Sequence, residues 1–358
     1  MRRVNFPAWF LCYFFCALAL AGCAGQRPSP APPEPPAEVM GPPIPETKVD
    51  EQELPKDVYG PAVPAPGATE VAAGAVNTTT ASATETATAT ATSTATASGD
   101  PGRLCVVLGP GMAKAMAESA VLESLRKAKI PVHCVVGTEM GAIVGALYAA
   151  SNGSTNNLNW QLFKLNKDNY FAFPMLSLRE PRSTGHQLNE FFRGVFRDEQ
   201  IDRMPIKFGT TAVDDDGDNT VEFDHGPVSD ALSASVAVAG IFDPWKIGGH
   251  SYRSSASAEP APMELARRLG GNFLVLVDVL VEGGAPAKSR YHRAFTASRS
   301  VLKLVKKDAS FTIQVNTGEI AFDDFGRRAE ILAAGTDAAE KALPALKAAW
   351  EKWASGQR

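Results

Sequence analysis

The stretch VVGTEMGAIVGALYAA, residues 135–150, constrains the fold more than any other. Val135 and Val136 run into Gly137, a tight turn follows, and a helix rich in Ala and Leu continues to Ala150. A strand–turn–helix of this kind is the frame that lifts a nucleophilic serine above a sheet, G-x-S-x-G. Gly137 and Gly141 keep the frame, but the residue at its centre is Glu139. The turn is present without a nucleophile.

The flanking sequence extends the pattern. RLCVVLG (103–109) predicts a buried strand, and residues 112–130 predict a helix with Ala117, Val121, Leu122 and Leu125 at helical spacing. PVHCVVG (131–137) predicts a second strand, and Glu139–Ala150 the helix after it. Strand, helix, strand, helix argues for an α/β fold with a parallel sheet and right-handed crossovers. Further on, GHQLNEFFRGVF reads as an amphipathic helix, and VSDALSASVAVA (228–239) as another. PIKFGTTAV and NTVEFDHG form a hairpin around DDDGDN, a solvated turn rather than a calcium loop, since Ala212 stands where that loop needs an acid. NFLVLVDVLV (272–281) is a late core strand. DDFG (323–326) has no kinase context around it.

The first hundred residues are of a different kind. Residues 1–22 read as a secretory signal: Arg2 and Arg3, then a short apolar run. The run closes on LAGC, Leu20 to Cys23, which resembles a bacterial lipobox. The resemblance implies cleavage before Cys23 and acyl chains on that cysteine, an anchor that several chains make stable. Ala24, rather than Asp, follows it, and this favours the outer membrane, facing the periplasm or the outside. Residues 24–100 pass from a Pro-rich stretch to an alternating Ala/Thr tract, too small in side chain to bury a core. They are expected to be a disordered tether, whose proline-rich half spans on the order of 100 Å. Residues 101–358 remain as one α/β domain.

Composition excludes some classes. The formal net charge is −4 and no basic block occurs, so nucleic acid is not an expected partner. Cys105 and Cys134 lie in apolar strand-like runs and are expected as buried free thiols, because a bridge between neighbouring strands is geometrically awkward. No CxxC or His cluster points to a metal, none of His133, His186, His225, His250 and His292 has a ligand partner by spacing, and no cofactor is expected. AFTASRSVLKLVKK (294–307) is a basic amphipathic stretch, expected to pack on the core with its charged face out.

The order of these pieces carries a resemblance. The Gly-rich turn after the first strand is followed by GTEMGAIVGALYAA, STGHQLNEFF, GPVSDALSASVAVAGIF, YRSSASAEPAPMELARRLGGNFLVLVDV and GRRAEILAAGTDAAEKALPAL. Together they resemble a patatin-like phospholipase domain of the bacterial type over nearly all of residues 103–347. The resemblance implies a three-layer fold with a central, mostly parallel sheet flanked by helices. It also implies a serine acyl hydrolase with a Ser–Asp dyad. In that chemistry the acid takes the serine proton, serine attacks the ester carbonyl, and backbone N–H groups of a Gly-rich loop hold the negative charge.

Each part departs from that pattern here. The nucleophile position is Glu139, and the acid position, in the turn after GGHSYR, is Ser254. The oxyanion loop reads Gly109, Pro110, Gly111, Met112, Ala113, Lys114; Pro110 has no N–H, so the loop is expected to be degenerate, although Lys114 keeps the basic residue. Ala239 stands where the family has proline. Loss of a serine nucleophile alone costs about 10⁶ in rate. The sequence therefore implies a pseudoenzyme that binds an acyl chain or lysophospholipid, or docks on an envelope protein. The alternative is an acyl hydrolase with a rearranged site, Glu139 as base and Ser254 as nucleophile, or with Ser255, Thr138 or a Glu139-activated water in the attacking role. The Glu139 carboxylate, at a helix N-terminus, is expected to fill the oxyanion place and bond Ser254.

Overall fold

The strands of the central sheet lie between Leu104 and Gln314, most of them separated by helices. In a computed structural model of the chain, residues 102–173, 182–216, 219–281 and 290–355 are described. The expected signal peptide, Cys23 and the expected tether to residue 100 lie outside these residues. Strands are β1 (Leu104–Leu108), β2 (Cys134–Gly137), β3 (Lys207–Asp214), β4 (Thr220–Phe223), β5 (Trp245–Ile247), β6 (His250–Ser254), β7 (Phe273–Asp278) and β8 (Phe311–Gln314). Helices are α1 (Ala117–Lys127), α2 (Met140–Ala150), α3 (Thr155–Lys164), α4 (Lys167–Phe171), α5 (His186–Phe196), α6 (Val228–Val236), α7 (Met263–Arg268), α8 (Arg290–Ala294), α9 (Thr296–Val305) and α10 (Arg328–Ala354).

The sheet order is β5-β6-β3-β2-β1-β7-β8, with β4 also paired to β3. The five strands from β3 to β8 run parallel, while β4, β5 and β6 join antiparallel. The sheet is thus mostly parallel, and β1, β2 and β7 are buried along their whole length, as strands covered on both faces must be. Adjacent residues of β3 show the two covers. Phe208 packs against Gly145 of α2, and Gly209 against Leu265 of α7. Successive side chains of a strand point to opposite faces, so α2 and α7 sit on opposite sides and the fold has three layers.

Three expectations change. The helix expected over 112–130 divides into a 3₁₀ turn, Met112–Met116, and α1. The helix expected over 228–239 ends at Val236, because the Ala237 carbonyl leaves the helix to accept from the Ser254 N–H at 3.0 Å. Cys105 and Cys134 are joined in a disulfide rather than free. The parallel register sets them side by side, and their Cα atoms, 4.6 Å apart, are within bridging range. The basic stretch at 294–307 becomes α9, with Leu302 and Ser298 buried.

Candidate functional site

The site lies where β1 and β2 end. Gly137 and Gly141 are required there by close approach: a Cβ on Gly137 would meet the Gly141 backbone, and one on Gly141 would meet the Leu108–Gly109 backbone. Between them Glu139 adopts φ 57° and ψ −122°, a conformation costly for a residue with a side chain. Its N–H donates to Ser235 Oγ at 3.1 Å, and Ser235 Oγ in turn accepts from Thr210 Oγ1 at 2.7 Å. The elbow is thus held in its strained shape from below.

The Glu139 side chain turns inward. Gly111 N–H and Met112 N–H both donate to Oε2 at 2.8 Å, and the Tyr170 hydroxyl donates to Oε1 in a short bond. The Gly-rich loop therefore keeps two convergent donors. Pro110 removes none of them, since the donors come from the two residues that follow it; in that respect the loop is less degenerate than its sequence implies. The place of an oxyanion is occupied by a carboxylate from within the chain. Glu139, Thr138 and Tyr170 have no exposed surface. Tyr170 is held by Phe171, Phe242 and Phe325 around its ring, the last at 5.2 Å between centroids.

Ser254 is placed differently. It is the last residue of β6 and the N-cap of a 3₁₀ turn, Ser255–Ser257; its Oγ accepts from Ala256 N–H at 3.2 Å. Ser254 is not among the partners of Glu139; Tyr170 takes that role instead. Ser255 is fully buried and pairs with Thr211 Oγ1 at 2.7 Å, which ties up its hydroxyl. The Thr138 hydroxyl donates to the Glu259 carbonyl at 3.4 Å. Lys114 is buried, with Nζ 5.1 Å from the Phe322 ring centre, and burial holds its ammonium below the usual lysine range.

Comparison with known proteins now bears on this geometry. The profile of the patatin-like phospholipases matches residues 106–284, half of the chain, including Gly111, Glu139, Tyr170 and Ser254. The chain belongs to the patatin-like phospholipase family. It is 24% identical over 192 residues to an uncharacterised NTE family protein of Mycobacterium tuberculosis, across 52% of this chain and 51% of that protein. It is 25% identical over 181 residues to the human patatin-like phospholipase domain-containing protein 6, across 49% of this chain and 13% of that protein. The chain thus covers about half the length of its mycobacterial relatives. Among solved structures, VipD from Legionella pneumophila aligns at a TM-score of 0.40 and 12% identity, over 68% of this chain and 67% of that one. Members of the family are usually lipid hydrolases.

In this patatin-like domain the electrostatics follow from burial. Desolvation pushes the Glu139 carboxyl up, opposed by the bonds from Tyr170, Met140, Gly111 and Met112. Desolvation also pushes Tyr170 well above the usual phenol range, and the neighbouring Glu139 adds to it. A second carboxyl, Glu118 on α1, accepts from Gly109 N–H at 2.8 Å and is driven well above the ordinary range, chiefly by complete burial. Neither Tyr170 nor Glu118 was marked by motif. Glu118 carried a signal all the same: it precedes Leu122 and Leu125 by four and seven residues, on the apolar stripe of α1. Tyr170 had none beyond its aromatic neighbourhood.

One grouping suited to a metal departs from the expectation for the histidines. Asp214, Asp216 and His250 bring one ligand atom each within 4.8 Å of one another, at the partly exposed hairpin end. The antiparallel pairing of β3 with β6 brings His250 there, which spacing along the sequence does not show. His133 bonds the Leu269 carbonyl and His225 its neighbour Asp224.

Proposed function

We propose that this protein is a membrane-anchored, patatin-like lipoprotein that has given up ester hydrolysis and acts as a scaffold in the bacterial envelope. In this reading Cys23 carries the lipid anchor, residues 24–100 are the tether, and the domain works from the outer membrane, facing the periplasm. The observation that carries the reading is the Glu139 carboxylate seated on the Gly111 and Met112 N–H groups. A hydrolase needs those donors free for the developing oxyanion, and one such donor is worth about 10² to 10³ in rate. Here they are filled by a side chain of the same chain, in the position a nucleophile would hold. The acid position has become a turn cap. Docking on an envelope protein fits better than an acyl chain or lysophospholipid held at the old centre, because Glu139 and Tyr170 are sealed from solvent.

The test is labelling of the full chain with a fluorophosphonate, read by mass spectrometry. The wild-type chain should take no adduct. An adduct on wild-type Ser254, lost on Ser254→Ala, would overturn the reading and make the protein an acyl hydrolase with an exchanged dyad. Lipid extracted from the purified chain should hold no stoichiometric fatty acid.

A further inference from the structure

The exposed face of α3 differs from the rest of the described surface. This helix buries Thr155, Leu158 and Leu162 on the domain and leaves the opposite face open. On that face stand Trp160, 58% exposed, and Phe163, 62% exposed. Only one other large apolar side chain among the described residues, Leu304, is exposed to that degree, and it stands alone on α9. Scattered exposed apolar residues need no explanation, but an aromatic pair is different. The two rings are stacked, with centroids 6.1 Å apart and planes 9° from parallel. Each carries a cation: Lys164 Nζ lies 5.4 Å from the Trp160 ring centre, and the Arg328 guanidinium 5.1 Å from that of Phe163.

We infer that the Trp160–Phe163 face of α3 is a contact surface for the lipid bilayer, with the rings at headgroup depth and Lys164 directed at lipid phosphates, while Arg328 braces the Phe163 ring and donates to the Leu165 carbonyl. Three observations select a bilayer over other occupants. Tryptophan and phenylalanine beside lysine and arginine is the composition of an interfacial helix face. The helix has no Asp or Glu in TNNLNWQLFK, within a chain of net charge −4, so the charge that α3 itself presents to an anionic leaflet is cationic. Finally, the chain between Cys23 and the domain is long enough to let this face return to the surface that anchors it, which rests on the anchoring part of the reading above. The neighbouring groove of about 850 Å³ between Phe163 and Leu332 is not assigned to lipid phosphate, because Asp168, Asp323 and Asp324 line it.

The experiment uses the full chain in vesicles of phosphatidylethanolamine and phosphatidylglycerol, with and without acyl-brominated lipid. Brominated lipid should quench tryptophan emission, Trp160→Phe should abolish roughly half or more of that quenching, and amide exchange over 155–164 should slow several-fold on vesicles. Phe163→Ser, equally exposed and harmless to the core, should weaken the protection. Equal quenching in wild type and Trp160→Phe overturns the inference. So does amide exchange over 155–164 that vesicles leave unchanged. The mass of Cys23 in the same sample separates the two claims. Quenching through Trp160 with no acyl chains on Cys23 upholds this surface and refutes the anchor; acyl chains without Trp160 quenching refute this surface alone.

Discussion

The two positions that correspond to the family's dyad, Glu139 and Ser254, are held in different ways. On the elbow side, Glu139 is fully buried and every oxygen of its carboxylate has a donor, from Gly111, Met112 and Tyr170. On the acid side, Ser254 is half-buried: its hydroxyl accepts from Ala256 within its own turn, and its N–H donates to the Ala237 carbonyl at the end of α6. A centre whose two dyad positions are substituted has two routes to stability. Where donors converge in the interior they must be satisfied, so a new acceptor is recruited. Where the position borders solvent, any small polar residue that caps the turn is enough.

Substitutions test that contrast, the largest effect first. Glu139→Ala strands two buried N–H groups and a tyrosine hydroxyl together. It should cost about 3–5 kcal/mol, read as a lower midpoint in urea unfolding. Tyr170→Phe removes one donor from a buried carboxylate and should cost about 1.5–3 kcal/mol in the same measurement. Glu259, in the turn that follows Ser254, has Oε2 buried without a partner, and burial raises its carboxyl to about 7. The folded state therefore binds this proton more tightly than the unfolded one, and stability falls as pH rises from about 4.5 to 7. Glu259→Gln should stabilise by roughly 1–3 kcal/mol at pH 8 and change little at pH 4, seen in melting curves at the two values. Ser254→Ala loses a cap and should cost about 0.5–1 kcal/mol. If Ser254→Ala proved as damaging as Glu139→Ala, the contrast between the two positions would be broken.

Much of this was legible before any coordinates. The alternation of apolar strands and helices around the Gly137–Gly141 frame gave the parallel core, because period and glycine spacing are local properties. The inward turn of Glu139 onto the loop also followed from its place at a helix N-terminus. Its lateral partner did not. Tyr170 reaches Glu139 from 31 residues away, and nothing in the spacing of either residue encodes that meeting. The same holds for the Asp214, Asp216 and His250 grouping, which depends on which strands pair. Pro110 misled in the other direction: a missing N–H at one position says nothing about the donors one and two residues later. The disulfide departs from the expectation of free thiols because the parallel register sets the two cysteines level, which overcomes the awkwardness of bridging neighbouring strands.

That bond has a further consequence. Cys105 lies three residues before the end of β1, and Cys134 three before the end of β2, so the bridge ties together the strands that deliver the loop and the elbow. A pairing slipped by one residue would put the two sulfurs on opposite faces of the sheet. Closure of the bond therefore proofreads the alignment of the fold, and a loop of this length adds about 3–4 kcal/mol against unfolding once it is made. Copies held in a reducing compartment would lack both the check and the stability, and quality-control proteases would meet them as the looser substrate.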